Sequence, residues 1–106
     1  MSNSVRVHFI NPGELRSMMG VRKEGECDLI DVRREDEFRN GHIHGARLIP
    51  LDSLESRVTE LDRSKTTVLY CKSGKRCLRG AQILGEMGWD EVYVLDGGYD
   101  AYRSSP

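Results

Sequence analysis

The sequence predicts an α/β fold in which a parallel sheet carries helices on both faces. Three observations lead there. Short apolar runs alternate with stretches of helical spacing along the chain. Thr66 to Tyr70 is rich in β-formers and free of charge, as a strand in the middle of a parallel sheet is. No repeat, low-complexity tract or linker interrupts the 106 residues, so the whole chain, 1–106, reads as one domain. A chain of this size buries roughly 65% of its unfolded surface, enough for one core.

Val5 to Phe9 alternates apolar and polar residues, the pattern of an edge or half-exposed strand. Asn11-Pro12-Gly13-Glu14 then opens a helix, with Asn at the cap, Pro in the first turn and Glu three residues after the cap. That helix is expected to end near Gly20. Cys27 to Val32 is a mostly apolar run, hence a buried strand, with Asp31 near its carboxyl end. Glu35 to Arg39 reads as a short helix closed by Asn40-Gly41, and Ala46 to Ile49 as a short strand stopped by Pro50. Asp52 and Glu55 resemble another helix start. Leu51, Leu54, Val58 and Leu61 recur at helical spacing and predict one inward face. After the strand Thr66–Tyr70, the residues Cys77, Ala81, Leu84 and Met87 share one face of a helix. Val92 to Leu95 is the next strand, and Gly97-Gly98 begins a last short helix bearing Tyr99 and Tyr102. In such sheets ligands bind beyond the carboxyl ends of the strands, where Asp31, Cys71 and Asp96 fall.

Composition narrows the class of function. The net charge of -1 gives no global field for nucleic acid or acidic lipid. The basic stretch lacks interleaved aromatics for base stacking, so no nucleic-acid partner is expected. No apolar run approaches the ~20 residues that span a bilayer, and no membrane association is expected. Met1 to Asn11 lacks a basic segment followed by a long apolar one, which reads as no secretory leader. Three cysteines (Cys27, Cys71 and Cys77) form no disulfide framework and fit a reducing compartment, with the cytoplasm as the default.

Charge is unevenly distributed. No acidic residue lies between Asp62 and Glu86, whereas Arg63, Lys65, Lys72, Lys75, Arg76 and Arg79 all do. This cationic zone is centred on Cys71-Lys72-Ser73-Gly74-Lys75-Arg76, a polar loop between the central strand and the helix that follows it. The nucleophile of sulfur chemistry is a thiolate. A free thiol has a pKa of ~8.5, brought down to roughly 3.5–7.5 by a helix N-terminus and cations. Lys72, Lys75 and Arg76 are the candidate cations. The amides of the loop, including Ser73 and Gly74, are candidate donors to a thiolate or to a sulfur anion attached to it. Gly74 lets the loop turn tightly. A core needs no such loop, which separates Cys71 from an inert buried cysteine.

Leu29-Ile30-Asp31-Val32-Arg33, Glu37-Phe38, Gly41-His42-Ile43, Gly45-Ala46, Tyr70-Cys71 with Gly74 and Arg76, and Leu95-Asp96-Gly97-Gly98-Tyr99 resemble, in order and spacing, the rhodanese family of sulfurtransferases. The resemblance runs from about Asp28 to Tyr102. It implies a three-layer α/β domain around a mainly parallel, five-stranded sheet, and ping-pong sulfur transfer without cofactor or metal. Cys71 would take the outer sulfur of thiosulfate or a similar small anionic donor, release sulfite, and pass the sulfur to cyanide or a thiol. Arg76 closes the loop and can pair with an oxyanion through its planar fork. Lys72, Ser73, Gly74 and Lys75 would bind the donor, and the cations would steer it and stabilise the leaving sulfite. Related phosphatases and arsenate reductases place Arg one residue farther from Cys. Here that position is Cys77, so the shorter loop matches sulfurtransferases.

Two alternatives remain open. One is a persulfide carrier working with a protein donor or acceptor. The other is a non-enzymatic binding or regulatory module on the same fold. Around the loop, Asp31 and Arg33 match the family's Asp-x-Arg and are expected to support it as an ion pair. His42 is expected to fix a turn. His44 stands where many relatives have Pro. Cys77 departs from the small hydroxyl residue frequent after Arg76. Its spacing favours packing against Ala81 and Leu84, with a resolving thiol as the alternative. Cys27 is expected to pack in the interior, and Trp89 to cover the core.

Overall fold

The structure is a computed structural model that describes residues 4–21 and 26–105; Met1 to Asn3, part of the stretch read above for a leader, lie outside these. Five strands pair in parallel in the order β1-β5-β4-β2-β3. They are β1 (Arg6–Ile10), β2 (Cys27–Asp31), β3 (Arg47–Leu48), β4 (Thr66–Tyr70) and β5 (Glu91–Leu95). The helices are α1 (Pro12–Val21), α2 (Glu35–Arg39), α3 (Leu51–Leu54), α4 (Lys75–Glu86) and α5 (Gly98–Ser104). The register sets Asp31 opposite Tyr70 and Ile10 opposite Leu95. The carboxyl ends of the four longer strands therefore form one rim.

Side-chain alternation sorts the core into two layers. Val68 and Tyr70 of β4 join Ile10, Leu15, Leu29 and Leu95 on the face covered by α1 and α5. Leu69 and Cys71 join Leu54, Cys77, Ala81 and Leu84 on the face covered by α3 and α4. The three-layer architecture is thus present, and every described strand pairing is parallel.

Local chemistry explains most element boundaries. At α1 the Asn11 side chain accepts from the Glu14 amide at 2.7 Å, and the Glu14 carboxylate accepts from the Asn11 amide at 2.8 Å. This reciprocal cap satisfies two of the helix's orphan donors. Trp89 is buried and donates from Nε1 to Thr67 Oγ1 at 3.2 Å, covering the core as expected.

One expectation is corrected. Leu51 to Leu61 does not form one helix: α3 stops at Leu54, and a 3₁₀ turn occupies Val58–Glu60. Pro50 rather than Asp52 precedes the first turn. Ser56 donates back to the Ser53 carbonyl at 3.0 Å, and the β-branched pair Val58-Thr59 follows. Such residues favour local side-chain bonds or resist helix, so the turn unwinds. The inward face survives, because Leu54 and Leu61 are buried and Leu51 and Val58 pack against the same cluster.

Candidate active site

Cys71 is the first residue beyond β4 and is 1% exposed. Gly74, at the N-cap of α4 with φ of 104°, directs its amide at Cys71 Sγ at 3.0 Å. Cys71 is held at about 6, well below an ordinary thiol. The largest cause is a hydrogen bond from the Cys77 thiol; burial opposes it, and the backbone amides of Cys77, Gly74 and Arg76 add to it. These are the first-turn N–H groups of α4, which have no partner within the helix. The cations singled out in the sequence rank behind them. Lys72, Ser73 and Lys75 are exposed, and Arg76 is engaged elsewhere. Cys77 is 0% exposed; its contact with Cys71, followed by burial, pushes its thiol upward, so it retains its proton.

Arg76 presents its planar fork to Glu37 of α2, with Nη1 to Oε1 at 2.9 Å and Nη2 to Oε2 at 3.0 Å. This bidentate pair holds the Glu37 carboxyl down at about 2. Glu37 also accepts from the Arg34 amide at 2.9 Å, which ties the start of α2 to the same pair. The fork expected to meet an oxyanion therefore meets a carboxylate. Val32, Arg33, Arg34, Leu51, Asp52 and Arg76 border a cavity of about 190 Å³ beside this pair.

Asp31 and Arg33 form the second Arg–carboxylate pair, and both are buried. Arg33 Nη2 reaches Asp31 Oδ2 at 2.7 Å and the Gly41 carbonyl at 2.8 Å. Its guanidinium lies 4.5 Å from the ring centre of Tyr99. The Tyr70 hydroxyl accepts from the Ile43 amide at 3.1 Å and bonds Asp31, and burial above all raises its pKa. This network fixes the 41–43 turn and the end of β2, and the ion pair expected of Asp31 and Arg33 is part of it. His42 likewise fixes its turn: it stacks on Phe38 and bonds the Phe38 carbonyl at 2.9 Å.

The beginning of the loop is clamped from α5. The Tyr99 amide donates to the Cys71 carbonyl at 2.8 Å and the Asp100 amide to the Lys72 carbonyl at 3.0 Å. Such an approach requires glycine at position 98, where φ is 62° and a Cβ would lie 2.5 Å from the Cys71 oxygen. Asp96, at the end of β5, is exposed and is not brought to the thiol by any hydrogen bond. Sequence reasoning thus missed three features: the α5 clamp, Glu37 as the partner of Arg76, and Cys77 as a donor. The Gly97-Gly98 pair was the signal for the first. For the second there was only the Glu37-Phe38 fragment of the resemblance.

A rhodanese-like domain profile matches residues 11–105. The chain belongs to the rhodanese-like family. It is 46% identical over 80 residues to YqhL of Bacillus subtilis, an uncharacterized protein, covering 76% of this chain and 61% of that one. The chain thus spans less than two thirds of that relative. It is 35% identical over 91 residues to the thiosulfate sulfurtransferase GlpE of Shewanella oneidensis, covering 86% of this chain and 90% of the relative. Among solved structures, a rhodanese-like domain protein from Staphylococcus aureus superposes with a TM-score of 0.80 at 27% identity, over 90% of each chain. The fold is accordingly rhodanese-like.

Proposed function

We propose that this rhodanese-like chain is a thiosulfate sulfurtransferase that carries sulfane sulfur as a persulfide on Cys71. Sulfurtransferase activity in general has the support of the family and of relatives named for it. The observation that carries the finer reading is the Cys71 thiol, held at about 6 by donors converging from Cys77, Gly74 and Arg76. At neutral pH it is chiefly thiolate, the form that attacks sulfur. The thiolate attacks the outer sulfur of thiosulfate. The S–S bond breaks, and sulfite leaves with the electron pair. The terminal sulfur left on Cys71 is anionic and sits among the same amides. Cyanide or a thiol then removes it. Lys72 and Lys75, exposed on the loop, attract the donor anion and favour departure of sulfite. Arg76 serves chiefly to pin the loop to α2 through Glu37. The chemistry calls for no cofactor, and a reducing cytoplasmic setting suits three cysteines that form no disulfide.

The test is intact-mass analysis after incubation with thiosulfate. A gain of one sulfur, removed by cyanide and absent in Cys71→Ser, is expected. Failure of the wild-type chain to gain sulfur overturns the proposal. One observation favours a protein donor or acceptor as a second reading: Leu78 is 50% exposed on the first turns of α4, between exposed Lys75 and Arg79. Saturation by a persulfidated protein at concentrations far below those needed for thiosulfate would favour that carrier role.

A further inference from the structure

Cys77 is the third residue of α4 and has no exposed surface. Cys71 continues the alternation of β4 onto the α4 face, so the two thiols share one core cluster with Ala81 and Leu84. The Cys77 thiol and its backbone amide both act on Cys71, the thiol as the first cause of its lowered pKa. Cys27 is remote from both. It opens β2 opposite Thr66, five residues before Cys71, a separation of roughly 16 Å along the strand. A cysteine with only a packing task has no need to touch another sulfur.

We propose, on the reading that Cys71 acquires sulfane sulfur, that Cys77 is the internal acceptor: it displaces that sulfur as hydrosulfide and leaves a Cys71–Cys77 disulfide. The chain then performs the oxidising half of a sulfane-sulfur reductase, and an external dithiol completes the cycle. The step balances within the site. It begins with Cys71 Sγ–S⁻ beside Cys77 Sγ–H. The Cys77 proton passes to the terminal sulfur, which would otherwise have to leave with a double negative charge. The Cys77 sulfur, now a thiolate, attacks Cys71 Sγ. The Sγ–Sγ bond forms as the Sγ–S bond breaks, and HS⁻ leaves with the electron pair. Two thiols are oxidised to a disulfide while the sulfane sulfur gains two electrons, so no outside oxidant is required. In the resting site Cys77 holds this proton against the Cys71 anion; in the persulfide the charge has moved from Sγ to the terminal sulfur, and the proton follows it there as Cys77 attacks. Forming the ~2.05 Å S–S bond requires the two Cα atoms to lie about 4.4–6.8 Å apart, which the linked peptide tests. A dithiol then reduces the disulfide by two exchange steps and restores both thiols.

The experiment is a single turnover of the fully reduced chain with thiosulfate, free of added thiol. It reads trapped hydrosulfide, intact mass and the peptide map. The wild-type chain is expected to release about one hydrosulfide per chain, lose two hydrogens and yield a linked Cys71–Cys77 peptide. Cys77→Ser is expected to retain the added sulfur on Cys71 and to release less than about a tenth of that hydrosulfide, the residue of slow side reactions. Cys77→Ala also removes this donor to Cys71, so its loading is expected to be slower, and hydrosulfide is counted per persulfide formed. A wild-type persulfide that persists as in the variants, without a linked peptide, overturns the inference and leaves the sulfurtransferase reading standing. No sulfur uptake by any of the three proteins overturns both.

Discussion

The two ends of the sheet differ in what they offer a ligand. At the amino end, residues including Arg63, Lys65, Thr66, Asp90 and Glu91 border a cavity of about 490 Å³. At the carboxyl end the cavity beside Arg76 measures about 190 Å³. Of the Cys71–Arg76 loop, Arg76 alone borders the smaller space. Helix α4 runs from Gly74, its amides directed at Cys71, to Glu86 and Met87, whose end abuts Trp89 at the other rim. Its unsatisfied N–H groups therefore favour an anion at one end only. No cysteine lines either cavity. Convergent donors, rather than volume, decide where a thiol ionises.

The sharpest way to break this comparison is to push the α5 clamp off the loop. In Gly98→Ala the new Cβ would lie 2.5 Å from the Cys71 oxygen and 2.6 Å from the Lys72 carbonyl carbon, at a φ of 62°. Both the clash and the left-handed backbone cost stability, together about 2–4 kcal/mol in chemical denaturation. Sulfur uptake, measured under conditions where the variant stays folded, is expected to fall at least about tenfold as the loop shifts. Uptake at the wild-type rate would mean that the clamp is structural scaffolding with no hold on the thiol.

The pH profile sharpens the same point. With Cys71 held at about 6, sulfur uptake should be nearly level above that value, and fall about tenfold for each unit below it. Stability carries the matching signature. The folded chain lowers this thiol from 9.0 to about 6, so between those values the unfolded state binds more protons. The resulting contribution is complete above 9.0, shrinks as pH falls, and is gone below about 6. A thiol titrating near its ordinary value, followed by ultraviolet absorbance of the thiolate, would remove the distinction between the two ends.

How much of this was legible beforehand follows from range. Contacts set by neighbours in sequence were readable: the Asn11–Glu14 cap, the uncharged run of β4, and the loop opening with Cys71. The fold class followed from the alternation of elements. Contacts between distant segments were not readable from local pattern. Glu37 meets Arg76 across 39 positions, and Tyr99 meets Cys71 across 28. The loop's cations drew attention because charge is visible in a sequence, whereas the direction of a backbone amide is not. Cys77 was placed on the correct helix face, yet that face also contains Cys71, because β4's alternation continues one residue past its end.

A smaller effect is expected at the rim pair. Glu37→Gln keeps the shape and removes the charge facing Arg76. The pair is partly open to solvent, at 14% for Glu37 and 33% for Arg76. After allowance for screening the loss is about 1–2 kcal/mol at neutral pH. The sign with pH is fixed by the lowered carboxyl. The wild-type chain has this contribution above 4.5 and loses it as pH falls to about 2. Acid unfolding of the variant should therefore lack that part of the decline. An unchanged acid limb would show that solvent and the Arg34 amide hold Glu37 equally well without the guanidinium.

The smallest effect belongs to the other end of the sheet. Thr67→Val keeps the volume and branching that β4 favours but removes the acceptor of the Trp89 indole N–H. Trp89 is 6% exposed, so its N–H finds little water. An unpaired donor of this kind costs about 1 kcal/mol. Thr67 points to the same face as Leu69 and Cys71 but lies four residues before Cys71, roughly 13 Å along the strand. Unfolding should shift by that amount while sulfur uptake and its dependence on pH stay unchanged. If the apparent pKa of Cys71 moved with this substitution, the two ends would be coupled through β4, and the chemistry at one rim would depend on packing at the other.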